Sequence, residues 1–216
     1  MAHVAVVLSG CGFMDGSEIH ESVLCLLALA QAGHRTQCFA PNIKQAKVVN
    51  HLSGKEEVGV QRNVLQEAAR IARGHIKPLD ELRVDDFDAI LLPGGFGAAL
   101  NLCTFATEEE HCHVDPTLRQ ALENFHRQGK AIGATCIAPV ILAKTFEGKD
   151  KIKMTLGSNP GALDKLSKMG MEPQAASTRD CIIDEKNKIY TTPCYMEPDD
   201  LAGMFEGIKK VVAQLG

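Results

Sequence analysis

Cys136 is the residue whose type and setting point most directly to covalent chemistry. The apolar residues 131–135, typical of a buried strand, precede it, and the helical pattern of residues 137–143 follows almost without a loop. Nucleophile elbows expose a reactive side chain on such a sharp strand-to-helix turn, with small neighbours like Gly133 and Ala138. We also expect the amides of the following helix to lower the pKa of the thiol. The competing interpretation is a buried cysteine that only fills space in the core.

A glycine-rich segment is suited to receive the negative charge that forms when a thiolate attacks a carbonyl carbon. Residues 93–97 read Pro-Gly-Gly-Phe-Gly and follow a second predicted buried strand, residues 88–92. Glycines allow backbone N–H groups to approach a ligand closely, and such groups stabilise an oxyanion. Gly94 and Gly95 are the candidate residues of this pocket. An ordinary turn is the competing interpretation.

The loop of residues 9–17 is a third candidate, and it does not match a dinucleotide-binding loop. The third glycine of the pattern G-x-G-x-x-G would fall on Asp15, and no acidic residue ends the second predicted strand to hold a ribose. The helix that follows begins with two carboxylates, Glu18 and Glu21. Ser17 is predicted to cap this helix, and acids in the first turn complement its dipole. The dipole accounts for one carboxylate and does not explain a second one directed into the crevice.

The other cysteines and histidines do not indicate a metal site. His111, Cys112 and His113 follow three glutamates, but ligands so close in sequence rarely converge on one ion, and no C-x-x-C or H-x-x-x-H motif accompanies them. We therefore predict a polar loop there and no metal. Cys11 and Cys103 fall in loops that border the expected crevice, where they either line the site or fill space. The sequence does not decide between these two roles.

Alternating strands and helices must position these residues. The pattern predicts strands at residues 4–8, 36–39, 88–92, 131–135, 152–156, 181–183 and 189–191, and helices at residues 18–32, 64–72, 115–128, 137–143 and 201–215. Val23, Leu26, Leu27 and Ala30 lie on one face of the first helix. This alternation predicts one α/β domain, residues 1–216, with a doubly wound, mostly parallel sheet flanked by helices. Ligands bind at the carboxyl ends of such strands, so loops 9–17 and 93–105 and the turn at Cys136 should meet there.

Composition excludes several classes of partner and supports a reduced compartment. The chain has 216 residues, 45% of them hydrophobic, and a net charge of -4, which gives no reason to expect nucleic acid or an anionic membrane surface. No apolar run approaches the roughly 18 residues of a membrane span. Eight cysteines without C-x-x-C pairs, and no signal peptide pattern, favour reduced thiols in the cytoplasm. A mitochondrial location after removal of a transit peptide stays open.

Several motifs resemble a known superfamily. Glu21, residues 92–95 (Leu-Pro-Gly-Gly) and residues 136–139 (Cys-Ile-Ala-Pro) resemble the PfpI/deglycase superfamily, whose fold is flavodoxin-like and of the class I glutamine amidotransferase type. Residues 8–12, 15–21, 93–99 and 191–193 are similar to its ElbB branch. That branch contains bacterial glyoxalases of the type called isoprenoid biosynthesis protein with amidotransferase-like domain, and mitochondrial homologues in animals. The resemblance covers nearly the whole chain.

The resemblance implies roles for particular residues. A glutamate of the first helix shares a proton with the cysteine, which assigns Glu21 to Cys136, with Glu18 as second choice. The amides of Gly95 and Ile137 map onto the oxyanion pocket. No histidine follows His126, so a Cys-His-Glu triad in the chain order of amidotransferases is impossible and a glutaminase is not expected. Any reaction must use Cys136 and Glu21, with His20 and Cys11 as secondary candidates.

Two functions are consistent with these residues. The first is a cofactor-independent, cysteine-dependent enzyme of the glyoxalase or deglycase type, which converts small dicarbonyls such as glyoxal to 2-hydroxy acids with low activity. The alternative is a non-enzymatic protein of the same fold in which Cys136 senses oxidants or lines a ligand pocket. The resemblance also implies a homodimer.

Overall fold

Strands and helices alternate along most of the chain in the computed structural model, which describes residues 1–149, 151–198 and 200–216. The strands are β1 His3–Val7, β2 Arg35–Ala40, β3 Val49–Asn50, β4 Lys55–Glu56, β5 Ile76–Pro78, β6 Ala89–Leu92, β7 Ala131–Thr135, β8 Lys153–Met154, β9 Glu172–Pro173, β10 Ile182–Asp184 and β11 Ile189–Thr192. The α-helices are α1 Ile19–Gln31, α2 Val64–Ile71, α3 Phe96–Leu100, α4 Phe105–Glu108, α5 Pro116–Arg127, α6 Pro139–Thr145, α7 Pro160–Lys168 and α8 Leu201–Val212. None of the helices in the described part of the chain combines the length and apolar character that a membrane crossing requires.

Seven strands form the central sheet, in the order β10-β11-β7-β6-β1-β2-β5. Every neighbouring pair is parallel except β10 and β11. The chain first moves from β1 to β2 and β5 on one side, and then returns to β6, β7 and β11 on the other. The predicted doubly wound, mostly parallel sheet is therefore confirmed. The reversal between β1 and β6 opens a crevice at the carboxyl ends of these strands.

Buried side chains cover both faces of the sheet. Along β1, Val4 and Val6 point to one face, and Ala5 and Val7 point to the other, because successive strand residues alternate. Helices α1, α2 and α8 cover the first face, and α3, α5 and α6 cover the second. A parallel sheet needs this double cover because its crossover helices lie on both sides.

Several elements differ from the prediction for physical reasons. Residues 93–105, predicted as a loop, contain α3, whose five residues are too few to show helical periodicity. The strand predicted at residues 152–156 is only β8, and it pairs with β9 outside the central sheet. Helix α7 was not predicted, although Asn159 followed by Pro160 is a typical signal for the start of a helix. The Asn159 side chain caps it by accepting hydrogen bonds from the amides of Gly161 and Ala162.

Helix α1 buries Leu29 but leaves part of its predicted apolar face exposed. Val23 and Leu27 are 48% and 43% exposed, whereas Ser22, Cys25 and Ala28 face inward. The helix packs along α8 as well as on the sheet, and small side chains permit this close approach. An apolar surface is left pointing outward.

Candidate functional site

The turn at Cys136 holds a thiol at the carboxyl end of β7. Cys136 has a φ of +58°, in the left-handed region that residues with a side chain rarely adopt. Its N–H donates to the carbonyl oxygen of Thr192 on β11 at 2.9 Å, and the N–H of Ala138 donates to the carbonyl oxygen of Thr135 at 3.0 Å. Hydrogen bonds on both sides therefore hold the turn in place. Backbone strain of this kind is concentrated at functional sites.

The carboxyl group of Glu21 reaches the thiol from α1. Its Oε2 accepts hydrogen bonds from the amide of Gly94 at 3.1 Å and from the hydroxyl of Thr135 at 3.3 Å. Its Oε1 accepts a bond of 3.4 Å from the amide of Tyr195, and a side-chain hydrogen bond joins the carboxyl to Cys136. Glu21 is fully buried, and this burial, reinforced by the nearby Glu18, raises the pKa of its carboxyl to about 7.

Glu18, and not Ser17, caps helix α1. The Oε2 atom of Glu18 accepts a hydrogen bond of 2.6 Å from the amide of Glu21. The prediction for Ser17 is wrong because its hydroxyl turns back into the loop, where it accepts a bond of 2.8 Å from the amide of Ser9. Glu18 therefore fixes the first turn of α1, and its charge acts on the Glu21 carboxyl.

The pKa of the Cys136 thiol is raised well above its ordinary value, contrary to the expectation of a lowered one. Burial is the main cause, and the negative charge of Glu21 adds to it, while amide hydrogen bonds from Gly95 and Ile137 act in the opposite direction. The following helix gives little help because α6 begins only at Pro139, which has no N–H. The thiol therefore needs a base to become nucleophilic.

The two glycines after β6 have different roles. The Gly94 amide is occupied by Glu21 and by the Thr135 hydroxyl, so it does not serve the predicted oxyanion pocket. A Cβ atom at Gly94 would lie 2.6 Å from Glu21 Oε2 and 3.0 Å from Cys136 Sγ, so only glycine fits there. Gly95, with a φ of +98°, directs its amide at the Cys136 sulfur, as Ile137 does. The amides of Gly95 and Ile137 therefore both lie next to the sulfur.

A cavity of about 560 Å³ opens above the thiol. Its lining is mainly apolar and aromatic, and consists of Phe13, Glu18, His20, Gly95, Phe96, Cys136, Ile137, Tyr195 and Met196. His20 and Tyr195 meet in this lining, where the His20 Nδ1 atom lies 2.7 Å from the Tyr195 hydroxyl. His20 is thus a component of the site wall, although its ring is largely exposed.

The whole arrangement lies within a segment shared with known proteins. The model of the DJ-1/PfpI family matches residues 11–196. The chain belongs to the DJ-1/PfpI family. The matched segment includes Glu21, Gly95 and Cys136, so the acid, the amide and the thiol all come from the part of the chain that the family shares.

Known proteins and solved structures resemble the chain over nearly its full length. It is 40% identical to the human "Glutamine amidotransferase-like class 1 domain-containing protein 3, mitochondrial", over 99% of this chain and 82% of that protein. It is 38% identical to the "ES1 protein homolog, mitochondrial" of Rattus norvegicus, over 99% and 83%. Among solved structures, an isoprenoid biosynthesis protein with amidotransferase-like domain from Ehrlichia chaffeensis is 35% identical, with a TM-score of 0.92 and coverage of 100% and 98%.

The remaining sulfur candidates of this DJ-1/PfpI chain lie away from the cavity lining. Cys11 faces α2, where Glu67 and Arg70 are its charged neighbours. Cys103 is buried in the core beside Cys112, and its thiol donates a hydrogen bond of 3.4 Å to the carbonyl oxygen of Ala98. His111 and His113 are exposed on either side of Cys112. In the described ranges, no group of three or more His, Cys, Asp or Glu side chains is arranged to hold a metal ion.

Three residues of this DJ-1/PfpI site were not singled out from the sequence. The hydroxyl of Thr135 bridges the Gly94 amide and Glu21, Tyr195 binds Glu21 through its amide, and Cys194 is buried close to both Glu21 and Cys136. The sequence did contain a signal for two of them, Cys194 and Tyr195. The strand predicted at residues 189–191 is parallel to its neighbour, so the residues after it had to reach the same edge of the sheet.

Proposed function

We propose that this chain is a cofactor-independent, cysteine-dependent glyoxalase of the deglycase type, which converts small dicarbonyls such as glyoxal to 2-hydroxy acids. One observation carries the proposal: a buried carboxyl group with a pKa of about 7 is hydrogen-bonded to a thiol on the floor of an open cavity. A base with this pKa is half ionised at neutral pH, which suits proton transfer. Membership of the DJ-1/PfpI family, which includes such enzymes, supports the same conclusion.

The first step forms a carbon–sulfur bond. The Glu21 carboxylate takes the thiol proton while the Cys136 sulfur attacks one aldehyde carbon of the dicarbonyl. The electron pair of the C=O bond moves to oxygen, where the amides of Gly95 and Ile137 stabilise the negative charge. The proton on Glu21 then passes to that oxygen and completes a hemithioacetal.

The second step rearranges the hemithioacetal and releases the product. The hydrogen on the sulfur-bearing carbon leaves as a proton, a proton returns to the neighbouring carbonyl carbon, and a thioester of the 2-hydroxy acid results. Water hydrolyses this thioester, so that glyoxal and water together yield glycolic acid and the free thiol. His20 and Tyr195, hydrogen-bonded to each other in the cavity wall, are the candidates that relay the carbon-bound proton.

Glycolate formation from glyoxal tests the proposal. The wild type, Cys136→Ser and Glu21→Gln should be compared at pH 7.5, with folding checked by circular dichroism. We expect both variants to lose at least about a hundredfold in kcat/KM, because each lacks one partner of the proton transfer. Equal, slow rates in all three proteins would exclude the enzymatic role.

The alternative function, an oxidant sensor, is supported less well by the thiol itself. Sensor cysteines are readily oxidised because their pKa is low and they are accessible, whereas burial raises the pKa of Cys136. Intact-mass analysis after dilute peroxide distinguishes the two functions. Rapid addition of oxygen to Cys136, without dicarbonyl turnover, would favour the sensor.

Subfamily, assembly and location are part of the proposal. We propose that the chain belongs to the ElbB branch, and the name of the similar structure from Ehrlichia chaffeensis, which is typical of that branch, supports this. The same resemblance supports the proposal of a homodimer. The names of the human and rat relatives include the word mitochondrial, which supports a mitochondrial location beside the cytoplasmic one. The mechanism requires no metal, nucleotide or nucleic acid.

A further inference from the structure

Three large side chains at the cavity are exposed to solvent. Phe13, Phe96 and Tyr195 are 44%, 53% and 45% exposed, and all three line the space above Cys136. Exposed apolar side chains that cluster at a concave site mark a binding surface more often than isolated ones do. The cluster therefore needs an occupant with apolar surface of its own.

The aromatic walls are held in place by the backbone. The amide of Phe96 donates to the carbonyl oxygen of Phe13 at 2.8 Å, and the amide of Gly97 donates to that of Gly16 at 2.9 Å. The Phe13 ring also packs edge-on against His51, with ring centroids 5.4 Å apart. These contacts tie the loop after β1 to the start of α3. The backbones that carry the two phenylalanines are thus fixed relative to each other before any ligand arrives, which lowers the entropic cost of binding.

The charge of the cavity discriminates among ligands. Glu18 is the only Asp, Glu, Lys or Arg among the described lining residues, and Glu21 lies behind the thiol. With no cation in the lining, a carboxylate or phosphate on the ligand would face like charge in a low-dielectric site. An uncharged ligand avoids this cost. The acidic product, once formed, would be repelled from the site.

The cavity volume indicates how large the uncharged ligand can be. Pockets of roughly 300–1,000 Å³ accommodate molecules of drug size, and this cavity of about 560 Å³ is far larger than a two-carbon dialdehyde requires. A ligand that reacts at Cys136 while its far end lies against Phe13 and Phe96 fills more of the space.

We propose, building on the function given above, that the preferred substrate is an uncharged 2-oxoaldehyde with an aryl or bulky alkyl group on its ketone carbon. The aldehyde carbon meets the Cys136 sulfur and its oxygen meets the amides of Gly95 and Ile137, while the apolar group packs between Phe13 and Phe96. Glyoxal and methylglyoxal fill only the floor of the cavity and bind weakly. The chemical steps are unchanged, and phenylglyoxal with water yields mandelic acid.

Matched substrates test this specificity. The values of kcat/KM should be measured for methylglyoxal, phenylglyoxal and 4-carboxyphenylglyoxal with the wild type, Phe96→Ala and, as control, Val58→Ala, whose side chain is 90% exposed and outside the lining. We expect Phe96→Ala to lower the phenylglyoxal value about tenfold more than the methylglyoxal value. The carboxylated substrate should react at least about tenfold more slowly than phenylglyoxal, and Val58→Ala should keep the wild-type ratios.

A binding measurement separates failure of the specificity from failure of the proposed function. Binding of acetophenone and of benzoate to Cys136→Ser, followed by saturation-transfer NMR, involves no catalysis. If Phe96→Ala weakens the binding of acetophenone but no dicarbonyl is turned over, the apolar subsite is supported and the proposed enzymatic function is rejected. If dicarbonyls are turned over and the ratio of kcat/KM for phenylglyoxal to that for methylglyoxal is the same in wild type and Phe96→Ala, the enzymatic function is supported and the apolar subsite is rejected. A change from dimer to monomer in Phe96→Ala, with unchanged ratios, would assign the rings to an interface between copies and also overturn it.

Discussion

At the scale of single residues, Glu21 and Cys136 form a coupled acid pair. Both groups are buried, both are hydrogen-bonded to each other, and both have a raised pKa, with Glu21 at about 7. Above that pH the pair holds one proton and one negative charge, which the amides of Gly94, Gly95, Ile137 and Tyr195 stabilise from different sides. A carboxylate that is available near neutral pH makes a weakly acidic thiol usable as a nucleophile.

The pH dependence of catalysis should report the titration of Glu21. We expect kcat/KM for the dicarbonyl to rise with pH through about 7, because Glu21 must be ionised to accept the thiol proton. Glycolate or lactate formation between pH 5 and 9 measures this rise. In Glu21→Gln the inflection should disappear; an unchanged profile in that variant would show that a different group titrates.

The stability of the protein should depend on the same carboxyl group. The pKa of Glu21 is about 7 in the folded protein against an ordinary 4.5, so between these pH values the unfolded chain has released this proton and the folded chain has not. Glu21 therefore lowers the free energy of unfolding by about 3 kcal/mol as pH rises through this window, and the stabilising contribution of its protonated form is fully present only below about 4.5. Urea unfolding at pH 5 and pH 8 measures this loss. Glu21→Gln should lack it, whereas the exposed Glu172→Gln should match the wild type.

At the scale of elements, the site forms where the carboxyl end of β6 lies close to the carboxyl end of β7. Gly94 permits this approach because any side chain there would collide with Cys136 and Glu21. The elbow at Cys136 and the first turn of α1 converge on that glycine. None of the three elements brings the acid and the thiol together without the others.

Replacement of Gly94 should disrupt both packing and chemistry. We expect Gly94→Ala to lower the free energy of unfolding by about 1–3 kcal/mol, the usual cost of overpacking, and to abolish glycolate formation. The control is Gly161→Ala in α7, where a Cβ atom meets only Asn159 Oδ1 at 3.3 Å. Wild-type stability and activity in Gly94→Ala would contradict this account of the site.

The outward face of α1 is the place to test the proposed homodimer. Ile19, Val23 and Leu27 are spaced four residues apart and exposed, so they form one apolar stripe. We expect Leu27→Glu to convert a dimer to a monomer, because it places a charge in a desolvated interface. Sedimentation velocity measures the change. A protein that is monomeric before the substitution, or dimeric after it, would exclude this stripe as the interface.

The sequence predicted the elements with strong apolar patterns and failed where the pattern is short or local. Strands β1, β6 and β7 are continuous apolar runs, and their carboxyl ends located the loops of the site. The cap at Glu18 could not be predicted because Ser17 has the better capping propensity and only the contact with Ser9 removes it. The pKa of the Cys136 thiol shifts in the direction opposite to the prediction, because the effect of burial outweighs that of the two amide hydrogen bonds. Burial depends on the folded chain.

At the scale of the whole molecule, the sheet separates two cores and its centre is the best-protected region. Strands β1, β6 and β7 lie between neighbours on both edges and between helices on both faces. By contrast, β5 and β10 are edge strands, and β8 and β9 form a small separate sheet. The site lies above the central strands, so its frame is rigid.

Hydrogen exchange should follow this division. We expect amides of β1, β6 and β7 to exchange last and those of β5, β8, β9 and β10 to exchange much earlier, because edge strands open without global unfolding. Mass-spectrometric exchange on peptides from the native protein measures the order. Equal protection of β5 and β6 would show that the sheet opens as one unit.

The amide of Tyr195 that binds Glu21 has a consequence for protein synthesis. Glu21 and Cys136 leave the ribosome long before Tyr195, and β11, which accepts the Cys136 amide, also comes late. During translation of the last third, the nascent chain therefore carries the cysteine without the strand and loop that complete its surroundings. A product truncated before residue 189 would lack the contacts that Thr192 and Tyr195 make with Cys136 and Glu21, so the proposed reaction requires a nearly complete chain.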